Sequence, residues 1–525
     1  MIRAGLLVLS VAMLAAAPAS QTRPREPIAE QSGLRGEDGL VRAYSLILDA
    51  RFGALDAELR RACGPAPIEA CHVLEATALW WRIQIDPDSR ALDDEFSTAV
   101  ERAIQTTDAW TVRAPDDAEA WFYLGGAYAA RVQWRVLREE RLAAARDGKR
   151  IKDALERALV LDPGLDDAYF GIGMYRYYAD VAPSAAKVLR FLLLLPGGDR
   201  REGLAQMLRA RNQGRLLQGE ADYQLQIIYL WYEHQTDRAL ELLRALQQAH
   251  PGNPLFLTQI AEIQDVYQHD VMASLDSWRT LLAQARRDRV YAAYVAEVRA
   301  RLGMARHLDA LGLTDEAIDH LDRVVALEPE APHASLALAY LRLGEAHDRL
   351  NARSDAIAAY RAALRLAPSR PVSSATSSGE RVNIRREAAE RLSRTPNAHH
   401  AEAFRLSLEG WRALEQKDVP AAAAALERAL ALNPRDPVAR YRYGRVLQAG
   451  RDDSGALAQF ALTIRDARLA PAPLVGETYL ETGRIEERAG RREQAIAAYQ
   501  TAANLFGAGE ETHRAATRAL ARLLK

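Results

Sequence analysis

The chain has 525 residues, of which 49% are hydrophobic and 26% are charged. A sequence of this kind has enough apolar residues to bury a large core, which excludes an intrinsically disordered chain. The formal net charge is -1, from 69 Lys and Arg against 70 Asp and Glu, and this balance removes the electrostatic basis for a dedicated nucleic-acid binder or a protein held on anionic lipid.

Residues 1–19 read MIRAGLLVLSVAMLAAAPA, which is typical of a secretory signal. Arg3 precedes an apolar stretch, and Ala17 and Ala19 flank Pro18 as an A-x-A cleavage site requires. We expect cleavage after Ala19 and export to the periplasm or the medium. The short Ala-rich signal and the Arg-heavy composition favour a bacterial source. An uncleaved anchor helix is the less favoured alternative, because the apolar run is shorter than the roughly 20 residues that span a bilayer.

Another apolar run, VLRFLLLL at residues 188–195, contains Arg190 and ends at Pro196. This run is too short to cross a bilayer, so we expect no membrane span after removal of the signal. If the run were exposed rather than part of the core, it would suit a carrier of a lipid or another apolar ligand.

The two Cys residues of the chain flank a short turn segment. Cys63 and Cys71 lie on either side of GPAPIEA, between two predicted helices. Disulfides persist in exported proteins, so we favour a bridge across this helical hairpin. The spacing is neither CxxC nor a zinc pattern, which makes a redox or metal role a weaker alternative, and two ordinary buried thiols are a further one.

A repeating pattern of small, aromatic and Leu residues runs through the second half of the chain. In ALAYLRLGEAHDRLNARSDAIAAYRAALRLAPSR it occupies eight places on two predicted helices: Tyr340, Leu343, Gly344, His347, Ala356, Tyr360, Ala363 and Pro368. Small residues such as Gly344 and Ala356 let two antiparallel helices approach closely, and the larger ones fill the gap to the next hairpin. The pattern resembles the tetratricopeptide repeat. Five of the eight places hold the residue that is commonest at that place in the repeat.

The same frame recurs along the chain. Gly410, Gly444 and Gly483 are spaced 34 and 39 residues apart, and an earlier unit contains Gly303. Ala-rich amphipathic runs end at DP, NP, EP or AP pairs, and no segment shows sustained period-two alternation. We therefore predict an all-α fold, an α-solenoid of antiparallel helix hairpins that is irregular in its N-terminal half and ends in a capping helix at about 511–524.

Composition and repeat spacing divide the chain into regions. After the signal we predict an N-terminal helical region (20–115), an irregular repeat array (116–368), a Ser- and Pro-rich linker with a connecting helix (369–397) and a C-terminal repeat block (398–525). In the first unit of the array the second helix arrives 14 residues late, which indicates either longer helices or an inserted turn.

The stretch from about 116 to 285 carries a more particular resemblance. A G-x-G helix, an apolar segment, a G-[DN]-R turn and a YPNSxLF-like turn occur in this order, and the matching residues are Gly171, Gly173, Gly198, Asp199, Arg200, Pro251, Asn253 and Phe256. These features resemble the tetratricopeptide repeat protein 39 family and its fungal inclusion-clearance relatives. The resemblance implies a non-enzymatic helical-repeat protein with irregular middle repeats. This chain departs from that family by having a signal sequence, so the intracellular, organelle-associated roles of the family do not transfer to it.

If the helices stack as in the tetratricopeptide superfamily, the first helix of each hairpin presents one face to a concave groove. The candidate groove residues are Arg349, Trp411, Tyr441, Arg445, Arg484 and Arg488. Phe404 and Ser407 are expected on the same face. Aromatic rings there would cover apolar side chains of an extended peptide, while guanidinium groups bind a carboxylate. The alternative is that these arginines pair with neighbouring acids such as Glu477, Glu481 and Glu487.

Aromatic residues are concentrated in the N-terminal half: Trp80, Trp81, Trp110, Trp121, Trp134, Trp231 and Trp278, with Tyr169, Tyr175, Tyr177 and Tyr178. They suit either a ligand pocket or, as we favour, the filling of wide gaps between irregular hairpins. We find no HExxH or other metal spacing, no G-x-S-x-G elbow and no phosphate loop, so neither a metal, a cofactor nor a catalytic residue is predicted.

The sequence therefore predicts an exported, non-catalytic repeat protein that binds a protein or peptide partner, as an adaptor or assembly scaffold in the cell envelope. The alternative is an exported helical enzyme or apolar-ligand carrier whose N-terminal aromatic residues line a cavity. A cavity with converging carboxylates would favour the enzyme, whereas a filled N-terminal core and an open C-terminal groove would favour the adaptor.

Overall fold

The computed structural model describes residues 33–181, 197–373 and 381–524. The expected signal sequence and the apolar run at 188–195 lie outside these residues, as does the middle of the predicted linker.

Within the described residues, regular structure is almost entirely α-helical, and the predicted all-α solenoid is confirmed. The exceptions are one 3-10 helix, Ala467–Leu469, and two very short strands. Strand β1 (Val372–Ser373) pairs antiparallel with β2 (Arg381–Val382), so that Val372 lies opposite Val382. This ladder lies within the predicted linker.

The first seven helices are α1 (Glu37–Leu48), α2 (Phe52–Ala62), α3 (Ile68–Ile85), α4 (Asp93–Arg113), α5 (Ala118–Leu137), α6 (Arg141–Leu161) and α7 (Ala168–Val181). Helices α5 and α6 have 20 and 21 residues, so the late second helix of the first unit reflects longer helices. Cys63 ends α2, Cys71 lies in the first turn of α3, and the structure joins the two in a disulfide.

The middle of the chain continues with α8 (Arg200–Gln213), α9 (Gln218–Trp231), α10 (Thr236–Ala249), α11 (Pro254–Val266), α12 (Val271–Ala285), α13 (Ala293–Ala310), α14 (Thr314–Leu327), α15 (Ser335–Arg349) and α16 (Arg353–Leu366). Asn253 begins α11 by accepting a hydrogen bond from the Leu255 amide, with Pro254 in the first helical turn. Proline is tolerated there because the first amides of a helix have no partner within it.

The last helices are α17 (Ile384–Ser393), α18 (Ala398–Glu415), α19 (Val419–Leu432), α20 (Pro437–Ala449), α21 (Asp453–Arg465), α22 (Ala472–Arg488), α23 (Arg492–Asn504) and α24 (Glu510–Leu523). Helix α17 is the connecting helix, and its Ile384 and Ala388 pack in one hydrophobic cluster with Tyr360 of α16. Helix α24 is the capping helix.

In the regular hairpins a glycine of the first helix faces a ring of the second. A Cβ added at Gly444 would lie 2.5 Å from the Phe460 ring, and one at Gly483 would lie 2.6 Å from the Tyr499 ring. Real Cβ atoms do not approach a ring so closely. The close approach of the two helices therefore explains the spacing of the glycine and the ring in the sequence pattern.

The N-terminal helices run along the middle of the array. The Asn253 amide group donates to Leu48 O at 2.9 Å, Arg299 Nη2 donates to Ile85 O at 2.7 Å, and the His333 amide donates to the Asp86 carboxylate. These contacts reach the α10–α11 connection, helix α13 and the α14–α15 connection. Helices α1 and α3 therefore form one packed body with the repeats that follow them.

The residues that carry the more particular family resemblance have packing and capping roles. A Cβ added at Gly173 of α7 would lie 2.6 Å from Gly203 O of α8, so these two helices touch through their backbones. Asp199 accepts a hydrogen bond from the Glu202 amide at the start of α8. Phe256 is fully buried, with its ring edge against Trp81.

Candidate functional site

Two of the candidate groove aromatics meet in the C-terminal block. Trp411 of α18 and Tyr441 of α20 have ring centroids 6.2 Å apart. Tyr441 is buried, its hydroxyl donates to Glu477 Oε2 at 2.6 Å, and Arg445 donates to that hydroxyl at 3.0 Å. Burial, followed by the charge of Glu477, raises the pKa of Tyr441 above its usual value. Tyr441 is thus packed inside the block, and its ring face is not offered to a peptide.

The arginines of the candidate groove pair with neighbouring acids. Arg445 lies 3.7 Å from Glu481 Oε1, and Arg484 hydrogen-bonds the same oxygen. Arg488 donates to Asp453 at 2.8 Å rather than to Glu487. This is the pairing that the alternative interpretation describes, with a different partner for Arg488.

Arg349 lies in a different place from the other candidate groove residues. Its guanidinium group donates to Asp309 at 3.0 Å and lies 5.7 Å from the Phe404 ring centroid. Arg349 therefore lies apart, whereas Arg445 connects the Trp411 and Tyr441 pair to Arg484 through the shared Glu481.

The C-terminal end of the solenoid contains an open depression of about 500 Å³ between α22, α23 and α24. Its lining is Leu480, Arg484, Glu487, Arg488, Tyr499, Ala515, Arg518, Ala519 and Arg522. We call this the arginine depression, because four guanidinium groups and a single carboxylate line it. The side chains of Arg484 and Arg488 are about half exposed there.

Glu487, the carboxylate of the arginine depression, is held tightly. The Tyr499 hydroxyl donates to Glu487 Oε2 at 2.8 Å, and Arg522 donates to both carboxylate oxygens at 2.7 and 2.8 Å. The Tyr499 hydrogen bond, followed by that of Arg522, lowers the pKa of Glu487, so it is ionised at neutral pH. Its charge offsets that of Arg522 and leaves the other three arginines to be balanced from elsewhere.

Arg518 is the least balanced of these cations. Its Nε donates to Arg514 O at 3.3 Å, and it forms no ion pair with any residue in the described part of the chain. Arg484 and Arg488 are balanced by Glu481 and Asp453, which are not part of the lining. The arginine depression therefore presents more positive than negative charge to an incoming group.

Sequence reasoning found Arg484 and Arg488 but missed Arg518 and Arg522. Both lie on the capping helix, which follows the last regular repeat and so lies outside the repeat frame. A usable signal was present, because Arg514, Arg518 and Arg522 follow each other at intervals of four and so share one helix face. Only the packing of α24 against α22 shows that this face borders the same depression.

A second depression, of about 460 Å³, lies beside the disulfide hairpin. Its lining is Arg35, Pro65, Ala66, Pro67, Glu69, Trp110, Arg113, Ala114 and Asp117. The two arginines are paired within it, Arg35 with Asp117 and Arg113 with Glu69, both at 2.7 Å. Its charges are therefore balanced by its own lining, unlike those of the arginine depression.

Most of the N-terminal aromatics fill the core. Six of the seven tryptophans belong to a hydrophobic cluster or pack against one: Trp80, Trp81, Trp110, Trp121, Trp134 and Trp278. Trp231 is the exception, with 48% of its surface exposed. This is the arrangement that we favour from the sequence, and it gives no support to an aromatic-lined cavity for an enzyme or a carrier.

A Ser, a His and an Asp that the sequence did not single out lie close together in the middle array. Ser274 Oγ is 2.8 Å from His307 Nε2, and His307 Nδ1 is 3.9 Å from Asp265. The Ser274 hydroxyl also donates to Ala261 O at 2.6 Å, so its proton is not available to His307. Burial lowers the pKa of His307 to about 3. With Ser274 fully buried, this is a packed polar cluster rather than an accessible nucleophile.

Across the described residues, no three His, Cys, Asp or Glu side chains are grouped so that they could hold a metal ion. None of the helices in the described ranges combines the length and the apolar character needed to cross a membrane.

The fold and its glycine-to-ring packing define a helical-hairpin repeat protein, and a comparison with protein families agrees. The model of a tetratricopeptide repeat family matches residues 302–371 and 407–472. These segments cover the hairpins on either side of the connecting helix. These two segments of the chain therefore consist of tetratricopeptide repeats.

Solved tetratricopeptide structures are similar to parts of the chain. One, from Parabacteroides merdae, is 16% identical, covers 58% of this chain and 99% of its own, and has a TM-score of 0.26. The TPR2AB domain of yeast Sti1, solved as a complex with pHSP90, is 12% identical over 59% and 99%, with a TM-score of 0.21. YrrB, described as having an unusual peptide-binding site, is 17% identical over 42% and 90%, with a TM-score of 0.19.

These scores are low, so the family assignment rests on the family match and on the hairpin packing. A search of curated proteins finds no match to this chain.

Proposed function

We propose that this protein is an exported, non-catalytic interaction scaffold of the cell envelope that binds an acidic segment of a protein partner in the arginine depression. The observation that carries the proposal is the unequal charge of that site, where Arg484, Arg488, Arg518 and Arg522 meet one lining carboxylate. Guanidinium groups bind carboxylates through two parallel hydrogen bonds, which gives both affinity and orientation.

The exposed ion pairs around the arginine depression do not prevent such binding. Arg488 and Asp453 are both about half exposed, and solvent-exposed pairs contribute only about 0–1 kcal/mol because water and salt screen them. An incoming carboxylate can therefore replace Asp453 at little cost. Arg518 has no carboxylate to release, so it is the first residue that we expect an acidic segment to engage.

Two features support export. The first is the signal-like sequence that ends at Ala19. The second is the Cys63–Cys71 disulfide, since such bonds persist in oxidising compartments such as the periplasm. We expect the mature protein to begin at Ser20 and to be recovered from the periplasmic or extracellular fraction, which N-terminal sequencing of the fractionated protein would test. Recovery of the full-length chain in the cytoplasm would contradict export.

The binding proposal is tested by capturing partners from an envelope extract with the mature protein. The test variant carries Arg484→Glu, Arg488→Glu and Arg518→Glu. The matched control carries Arg286→Glu, Arg287→Glu and Arg289→Glu, which change the net charge equally at exposed positions far from the depression in sequence. Circular dichroism and thermal melting establish that both variants are folded.

A partner that is retained by the native protein and the control but lost by the test variant supports the proposed site. A partner retained by all three proteins places the interaction elsewhere on the solenoid. If no protein is captured by any of them, the scaffold role is contradicted.

A further inference from the structure

The turn between α13 and α14 lies against the C-terminal block, although about 100 residues separate them in sequence. Gly312 is at the tip of this turn with a φ of 79°, a conformation that favours glycine. A Cβ there would lie 3.6 Å from Val438 and 3.8 Å from the Phe404 ring. Phe404 is on the face that the sequence assigns to the concave groove, so the chain's own turn covers part of that face.

A buried arginine fixes the tip of the turn. Arg442 of α20 donates to Gly312 O at 2.8 Å and to Ser407 Oγ at 3.0 Å. Only 3% of Arg442 is exposed, and it has no carboxylate within ion-pair distance among the described residues. Burial lowers the pKa of Arg442 to about 10. A buried cation needs hydrogen-bond acceptors, and the Gly312 carbonyl supplies one to the Arg442 guanidinium. Without the turn, another acceptor would have to take its place.

Acidic side chains of the same turn pair with Arg412 of the C-terminal block and with Arg349 of α15. Arg412 of α18 donates to both oxygens of Asp315, at 2.6 and 2.7 Å, and to Glu316 at 2.7 Å. Burial opposes ionisation of Asp315, but the hydrogen bonds and charge of Arg412 prevail and lower its pKa. At the other end of the turn, Asp309 accepts a hydrogen bond from Arg349 at 3.0 Å. The turn thus has the charge and the acceptors of an acidic peptide ligand.

The far end of the C-terminal block also touches the middle array. A Cβ at Gly507 would lie 3.3 Å from His269 O, and one at Gly509 would lie 3.0 Å from the Met272 side chain. Both glycines have positive φ, at 77° and 88°. The block therefore meets the middle array at two places, through α18 and α20 and through the loop before α24.

We propose that the turn from Asp309 to Glu316 is an internal ligand of the C-terminal block, and that it blocks the surface formed by Phe404, Ser407, Arg412 and Arg442 against acidic segments of partners. We call this surface the covered face. An internal ligand is present at a high effective concentration, of the order of mM for short flexible tethers, so an external segment must outcompete it. The arginine depression remains open, and the covered face becomes available only when the turn is released.

This inference rests on the proposed function for the kind of competitor, an acidic protein segment, but its test needs no partner. The test variant of the full mature chain carries Asp315→Asn and Glu316→Gln, which remove the two charges of the turn that pair with Arg412 and leave its pair with Glu415 of α18 intact. The matched control carries Asp319→Asn and Glu330→Gln, two exposed acids without an ion pair to a described residue. The probe is a labelled peptide with the sequence of residues 306–320.

Two measurements are made on each protein, hydrogen–deuterium exchange and binding of the peptide. We expect the test variant to exchange faster than the control in the turn and in α18, and to bind the peptide about tenfold more tightly, since a weakened internal ligand competes less. Adding Arg412→Ala to the test variant should abolish that gain. If either exchange or affinity is the same in the test variant and the control, the internal-ligand proposal is overturned.

The two proposals fail in different ways. The gain in peptide binding of the test variant can survive Arg412→Ala and yet be lost with Arg484→Glu, Arg488→Glu and Arg518→Glu. In that case the peptide binds at the arginine depression. That result overturns the internal ligand and supports the proposed function. Faster exchange and tighter binding that depend on Arg412 support the internal ligand even if no envelope partner is captured.

Discussion

In the N-terminal half the space between helices is filled by large rings, whereas in the C-terminal block it is filled mainly by Ala, with Leu426, Phe460 or Tyr499 opposite the glycine of each hairpin. Trp81 packs against Tyr223 and Phe256, with centroid distances of 4.8 and 6.0 Å. In the last repeat Tyr499 is the one fully packed ring in a cluster dominated by Ala, with the partly buried Tyr479 at its edge. In the first region the rings of the chain itself fill the wide gaps between helices, while in the second the closely packed helices carry charged residues on their outer faces.

Two buried carboxylates, one from each region, are held in different ways. Glu220 in the N-terminal half accepts hydrogen bonds from neutral donors, the Tyr44 hydroxyl at 2.9 Å, the Trp81 indole at 3.2 Å and the Gln224 amide at 3.1 Å. Glu481 in the C-terminal block is also buried but is next to Arg445 and Arg484. Ion pairing of a buried carboxylate is not confined to the C-terminal block, since Asp147 in the N-terminal half pairs with Arg131 and Arg135.

The largest effect that we expect is from Trp81→Ala. Trp81 has no exposed surface, so its removal leaves a cavity and should destabilise the protein by about 3–5 kcal/mol. The matched control is Trp231→Ala, where the side chain is 48% exposed and the change should be within about 0.5 kcal/mol. Urea unfolding followed by circular dichroism measures both. Equal effects would show that the N-terminal rings are not a packed core.

A smaller loss of stability should follow Gly483→Ala in the C-terminal block. The new Cβ would lie 2.6 Å from the Tyr499 ring, and overpacking of this kind costs about 1–3 kcal/mol. Gly53→Ala is the control, because nothing lies within 4 Å of a Cβ there and replacing a helical glycine stabilises by up to about 1 kcal/mol. Thermal melting of the two variants gives the comparison. A Gly483→Ala protein as stable as the native one would contradict the close helix approach.

The smallest effect is the pH dependence contributed by Glu220. Burial raises the pKa of Glu220 above the usual value near 4.5. The folded protein therefore keeps its full stability while Glu220 is protonated, below pH 4.5, and loses stability as the pH rises through the folded-state pKa of Glu220. Glu220→Gln removes the charge and keeps one acceptor oxygen, which can still accept from the Tyr44 hydroxyl and the Trp81 indole. The melting temperature of this variant, measured relative to that of the native protein, should therefore rise as the pH increases from 4 to 7. A difference that is constant with pH would mean that Glu220 is not held in a raised-pKa environment.

Local sequence was sufficient to predict the hairpins. Gly444 and Gly483 lie where the repeat pattern requires a close approach, and Tyr499 is the ring that fills it. Helix ends were also predictable, because Asn253 with Pro254 and Asp436 with Pro437 combine a side-chain cap with a proline in the first turn. These features depend only on residues within about 40 positions of each other.

The candidate site was predictable only in part. Arg484 and Arg488 were found because the repeat frame marks their helix face, but Arg518 was not, since its helix lies beyond the last regular repeat. Tyr441 was expected to face a ligand, and the structure buries it against Glu477. A side chain on the correct helix face can still be covered by a neighbouring helix, and a single hairpin does not contain that information.

The sequence by itself determined the all-α repeat architecture, because glycine, aromatic and proline spacing is a local property of each hairpin. Only the tertiary structure decided which faces stay open, since that depends on how the superhelix curves and which distant segments it brings together. The contact of Arg442 with Gly312 joins residues 130 positions apart, and the arginine depression forms where the capping helix closes against α22. Both the contact and the depression result from the stacking of many hairpins, and no single repeat encodes them.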